Sequence, residues 1–301
     1  MHHLDGVLRA AIWSTLWSAV DADGGPTPEQ ESLLRAVGTH VLDLGPVEPE
    51  PLGPARAAAA ITAPELRRLV GEGLVVLELV RRPASAALAD QVDRYLEALG
   101  YEGSDQLLVR DAVAASRERV VADWARTRTA SVSAPPPEGD ADQLLGALAA
   151  LSACAPGTLG RSFHEFVERN GFTYERSHLS LVGHDFAHVI AGYEPVPEGE
   201  LALQAFLVAA GGGGQHASGL LASLLLYEVG LLPFDGVEPK VAALERPGAA
   251  DLFADAVARG VGVTLDIQAI DHLALVDREL ADLRAGLGVS EPVVGPFTFV
   301  R

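Results

Sequence analysis

Through most of the chain, apolar residues recur every three to four positions, the repeat of a helix that buries one face. Val7, Leu8, Ala11, Ile12, Leu16 and Ala19 mark one such face in residues 7–22. Residues 27–44 open with helix-start chemistry: Thr27 offers a capping hydroxyl, Pro28 suits the first turn, and Glu29 and Glu31 lie just inside it. The helical repeat returns over 63–80, 84–100 and 104–127, so residues 1–128 read as a bundle of about five helices.

A different pattern interrupts at 129–142, "TASVSAPPPEGDAD", which has almost nothing to bury. Three consecutive prolines favour an extended, semi-rigid linker. Helical patterning then resumes over 140–153, 159–171 (with Gly171 as a C-cap), 217–232, 247–262 and 265–288. Alternating stretches are scarce; the terminal "GPFTFVR", 295–301, reads as a short strand or an extended tail. No internal repeat relates the halves. The expectation is an all-α protein of two helical domains, 1–128 and 143–301, joined by the Pro-rich linker 129–142.

Composition narrows the function. Hydrophobic residues make up 49% of the 301, enough for a sizeable core. The net charge of −19 repels phosphate backbones and anionic headgroups, so nucleic acid is not an expected partner. Cys154 is the single cysteine, which precludes an intramolecular disulfide and suits a reducing cytoplasm. The start, "MHHLDGVLRAAIW", lacks a basic segment followed by a cleavage site, so no signal peptide is expected. The most apolar run, "GLLASLLLYEVGLLPF", is interrupted by Glu228 and falls short of a membrane span.

The candidate chemistry lies in "GHDFAHVIAGYEPVPEGE", residues 183–200. His184 and His188 are one helical turn apart and project from one face. Two neutral imidazoles at that spacing suit zinc or another divalent first-row metal. Asp185 lies about 100° around the helix, placed either to ligate or to orient a histidine. Gly192 ends this helix in the reading, Pro195 and Pro197 force a turn, and Pro197 opens the next helix. Glu200 then falls in a first turn, where the macrodipole favours an ionised carboxylate. Such a set leaves coordination positions open, as a catalytic metal requires. An Asp stands where zinc proteases carry the Glu base of His-Glu-x-x-His, so a peptidase is not read.

His-Asp-x-x-His followed by eleven residues and Glu resembles the metal-ligand motif of the coenzyme Q biosynthesis family named for its fourth gene, the Coq-four family. Around it, "PGTLGRSFHEFVERNGF", "HVIAGYEPVPEGELAL" and "ELADLRAGLGV" resemble that family's flanking segments, covering residues 143–290. The resemblance implies His184, Asp185, His188 and Glu200 as ligands of a divalent ion, zinc above all. It also implies a helical, membrane-peripheral and lipid-accommodating protein of quinone biosynthesis. The activity implied is oxidative decarboxylation at ring carbon C1 of a prenylated hydroxybenzoate. The alternative is a non-catalytic scaffold that binds lipid or other biosynthetic enzymes and uses the metal structurally. Either role admits an apolar or prenylated small molecule, self-association, and contact with a membrane surface from the cytoplasm. After Gly-Glu-Leu the chain departs from the family's polar pattern with Gln204, Leu207 and Ala210.

A weaker likeness links "AVDADGGPTPEQESLLRAVG" to tellurite-resistance-B-like (TerB-like) domains, with Asp21, Asp23, Glu29 and Glu31 as cation candidates. An EF-hand is excluded, because Pro26 stands at the loop's Gly and Ser32 at its bidentate Glu. Gln215, His216, Tyr227, Glu228, Asp271 and His272 are further polar candidates, each expected to be a structural group satisfied in the core.

Overall fold

The computed structural model describes residues 4–45, 48–101, 138–232, 237–263 and 265–290. Within them the chain is all-α, with twelve α-helices and no named strand; an isolated antiparallel bridge pairs Thr158 with Glu279. The helix expected over 104–127, the three-proline run and the terminal 295–301 lie outside the described residues.

The first five helices are α1 (Gly6–Val20), α2 (Pro28–Ala36), α3 (Pro54–Ala60), α4 (Pro64–Val80) and α5 (Ala86–Leu99). The start signal at Thr27 forms as expected. The Thr27 hydroxyl accepts from Gln30 N, Gln30 Oε1 accepts from Thr27 N at 2.9 Å, and Pro28 occupies the first turn. Gln30 also reaches across the core, where its Nε2 donates to Leu77 O at 2.8 Å.

The second run comprises α6 (Glu138–Ala150), α7 (Leu159–Asn170), α8 (Val182–Ala191), α9 (Pro197–Leu207), α10 (Gly213–Tyr227), α11 (Ala249–Val261) and α12 (Leu280–Leu287). Helix α6 begins inside the expected linker, at Glu138, where acidic residues favour a first turn. The helix expected over 265–288 is mostly absent: only Leu280–Leu287 forms, after turns and a short 3-10 segment at Leu273–Leu275. Local side-chain acceptors win there. Asp266 Oδ1 accepts from Gln268 N at 3.0 Å, and Asp271 Oδ1 from Ala274 N at 3.2 Å. Asp271 and His272 therefore precede the last helix instead of riding on it.

The two runs pack together. Helix α11 lies against α2 and α9, and α10 against α4, so residues such as Leu34, Leu74, Phe206 and Phe253 belong to one apolar core. Between the runs lies a cavity of about 590 Å³. Its lining, including Leu34, Val70, Ala205, Leu221 and Phe253, is apolar or glycine throughout except for Glu72.

Candidate metal centre

Helix α8 carries His184 and His188 and stops at Gly192, whose φ of +82° suits a residue without a Cβ. The chain turns through Tyr193–Val196, and Pro197 opens α9 with Glu198 and Glu200 in its first turn. This is the hairpin expected from the sequence. Gly199 permits it, because a Cβ there would stand only 2.0 Å from Glu194 O.

The hairpin brings three of the four expected residues to one point. His184 Nε2 lies 3.1 Å from Glu200 Oε2, and His188 Nε2 lies 3.2 Å from Glu200 Oε1. The two Nε2 atoms are 3.1 Å apart. Among the described residues this is the one group of ligand-type side chains whose donor atoms converge in this way. The His188 side chain is fully buried, whereas His184 and Glu200 each keep 18% of theirs exposed.

The hydrogen-bond pattern determines what this point can hold. His188 Nδ1 lies 3.0 Å from Tyr193 O. A carbonyl only accepts, so Nδ1 carries the proton, and a neutral His188 presents a bare Nε2. That nitrogen faces a carboxylate oxygen and a second imidazole nitrogen at 3.1–3.2 Å, contacts that need a proton or a cation between them. A proton on His184 Nε2 or a second proton on His188 satisfies some of these contacts. A divalent ion satisfies all of them. Tetrahedral ligands about 2.0–2.2 Å from zinc stand roughly 3.3 Å apart, close to the separations seen. The residues therefore fit the metal that the sequence motif implies.

The site also keeps its carboxylate ionised. Burial alone would raise the Glu200 carboxyl, but the His188 and His184 rings outweigh it and hold the group well below the usual carboxylate range. His184 is pushed down by burial and, more strongly in sum, up by Glu200 and Asp185.

Asp185 does not join the converging group. Its Oδ2 accepts from the Tyr174 hydroxyl at 2.5 Å, and burial raises its pKa above the ordinary value. The face of α8 away from Glu200 is anchored by Phe186, stacked on Phe163 and on the His272 ring.

Of the other candidates, His272 and Glu228 have hydrogen-bond partners and His216 lies beside a carboxylate. His272 Nε2 lies 2.7 Å from Ile267 O, and His216 Nε2 lies 3.0 Å from Asp266 Oδ2. Glu228 is fully buried and accepts from Leu244 N at 2.8 Å. Tyr227 ends α10 with its ring buried, and burial raises its hydroxyl pKa. The Gln215 side chain is outside the described set. In the acidic loop Arg81 takes the part of a cation. It donates to Gly25 O at 2.8 Å and Asp23 O at 2.9 Å, while Asp23 Oδ2 accepts from Ser85 and Glu31 pairs with Arg35. Asp21, Asp23, Glu29 and Glu31 do not converge on a point.

No family model and no curated protein matches the chain. Among solved structures, a provisionally assigned ubiquinone biosynthesis protein from Nostoc punctiforme aligns with 73% of this chain and 98% of its own. The identity is 18% and the TM-score 0.37. A likeness that remote carries nothing about activity, which rests on the site itself.

Proposed function

We propose that the chain is a metal-dependent protein of quinone-type biosynthesis, acting at ring carbon C1 of an apolar aromatic acid such as a prenylated hydroxybenzoate. The observation that carries the metal is the bare His188 Nε2 set against Glu200 and His184. The substrate class comes from the motif resemblance and is consistent with the apolar interior.

His184, His188 and Glu200 would hold the ion, zinc in the first instance, through two nitrogens and one carboxylate. The bound metal would supply a Lewis acid able to receive a carboxylate or phenolate oxygen and to stabilise charge as carbon dioxide departs. The chain's own residues do the rest. Tyr193 O fixes the His188 tautomer. Tyr174 donates to Asp185 and keeps that carboxyl oriented beside the histidines. Burial of His188 closes one side of the centre, and partial exposure of His184 and Glu200 leaves the other side accessible to a ligand. Three protein ligands leave one position of a tetrahedral ion open, which favours the catalytic reading over the scaffold.

The cavity between the two runs suits an apolar body. None of the three ligands lines it, and α9 borders both places, through Glu200 on one and Ala205 on the other. Among the described residues no helix is long and apolar enough to cross a membrane.

The test is incubation of zinc-loaded protein with a prenylated hydroxybenzoate under air, followed by mass spectrometry. Loss of the carboxyl group, abolished by His184→Ala with His188→Ala, is expected. Tight binding without turnover would favour the scaffold.

A further inference from the structure

The last carbonyls of a helix lack donors within it and must find them elsewhere. In α8, the helix that carries both histidines, those donors come from two distant arginines. Arg284 donates from Nη2 to Val189 O and from Nε to Ile190 O, both at 2.9 Å. Arg259 donates from Nη2 to Ala191 O at 2.8 Å. Gly192 leaves room for this arrangement, since a Cβ there would stand 3.3 Å from Arg284 Nη2.

Arg259 also reaches the other side of the same turn. Its Nη1 donates to Tyr193 Oη at 2.7 Å, and its guanidinium lies over the Tyr193 and Phe206 rings at 5.1 and 5.7 Å. Its Nε and Nη2 both donate to Ser290 O, at 2.9 and 2.8 Å, which ties the chain after α12 to the same place. The residue is 4% exposed. One planar fork thus grips Ala191 before the turn and Tyr193 after it, a geometry that a lysine cannot reproduce. Tyr193 is the residue whose carbonyl receives the His188 Nδ1 proton.

We propose that Arg259 is a positioning residue for the metal centre. By fixing the turn from Ala191 to Tyr193 it holds Tyr193 O on His188 Nδ1, and so keeps the His188 ring aimed at His184 and Glu200. The inference rests on the metal reading above. Charge alone predicts the opposite effect: a buried cation near a cation site weakens binding, and its removal would tighten it. The sign of the change therefore separates positioning from plain electrostatics.

The experiment is a competitive cobalt(II) titration of the full chain, read by affinity and by the visible ligand-field spectrum. Wild type, Arg259→Met, Arg259→Lys, Tyr193→Phe and Leu74→Ala are compared. Leu74 is fully buried in α4, so Leu74→Ala loosens the fold without touching α8. Arg259→Met is expected to weaken binding by about 10- to 100-fold and to change the spectrum, the range found for partners of metal-bound histidines. Arg259→Lys should restore only part of that, Tyr193→Phe should lose several-fold, and Leu74→Ala should leave both readouts unchanged. Equal or tighter binding by folded Arg259→Met overturns the proposal, as does an equal loss in Leu74→Ala. If Arg259→Met does not fold, Tyr193→Phe decides: a several-fold loss supports the proposal and unchanged affinity overturns it. A wild type that binds no cobalt removes the metal reading itself, and this inference with it.

Discussion

His188 Nε2 stands 3.2 Å from Glu200 Oε1, while the other ring nitrogen of His188 donates its proton to Tyr193 O. The second histidine converges on the same point, so the three ligand atoms lie close enough together to hold one cation. Several expected outcomes follow from this relationship and from the packing that enforces it.

Glu200 and Asp185 should behave differently when neutralised. Glu200→Gln keeps the shape but removes the one anionic group at the convergence point, and zinc affinity should fall by more than 100-fold with the helical signal intact. Asp185→Asn acts through its bond with Tyr174 and its charge beside the histidines, so a loss of about 10- to 100-fold at most is expected. A competitive zinc titration of both variants at one pH is the check. Equal losses would place Asp185 among the direct ligands.

Gly199→Ala should damage the hairpin. The added methyl meets Glu194 O at 2.0 Å, a backbone atom that cannot swing aside. Overpacking of this kind costs about 1–3 kcal/mol or more. Thermal unfolding should shift downward and zinc content should drop together, since Glu200 follows directly on the strained residue. A variant with lowered stability but full zinc affinity would show that the turn does not set the site.

Glu228 should make stability fall as pH rises through weak acidity. Burial lifts its pKa from 4.5 to about 7, against the opposing bond from Leu244 N and the charge of Arg82, whose Nε lies 3.8 Å away. Between these two pH values the folded chain holds a proton that the unfolded chain has released. The contribution is complete below pH 4.5 and is lost as pH climbs through 7, on the order of 3 kcal/mol in all. Glu228→Gln should remove that slope when its urea midpoints from pH 4.5 to 8 are compared with wild type. An unchanged slope would assign the dependence to other carboxylates.

How much of this could be read from the sequence depended on the range of each interaction. The Thr27–Gln30 cap, the His184–His188 pair and the helix–turn–helix that delivers Glu200 are settled within a few turns of chain, where residue spacing carries the geometry. The region 265–288 misled because its apolar spacing is helical, while Asp266 and Asp271 offer the backbone closer acceptors. Asp185 was legible as a polar neighbour but not as the partner of Tyr174, eleven residues earlier. Arg259 and Arg284 left no trace, since their bonds to α8 span 68 and 94 positions, and no periodicity encodes a contact at that range. The apolar cavity was hidden for the same reason, because its walls come from both halves of the chain.

The division of the chain at 129–142 has its own test. Helices on both sides of it share one apolar core, with α2 against α11 and α4 against α10. A chain cleaved by an engineered protease site between residues 129 and 137 should elute as one particle, held by that shared core. Two separately eluting, folded fragments would mean that each half is a domain able to stand alone.

The central claim is that His184, His188 and Glu200 hold one divalent ion, and elemental analysis of the purified protein tests it most directly. The account predicts about one zinc-like ion per chain in the wild type, and close to none in His184→Ala with His188→Ala, whose circular dichroism should still be helical. A double variant that kept the full metal content, or a wild type that took up no divalent ion even when zinc was supplied, would contradict it.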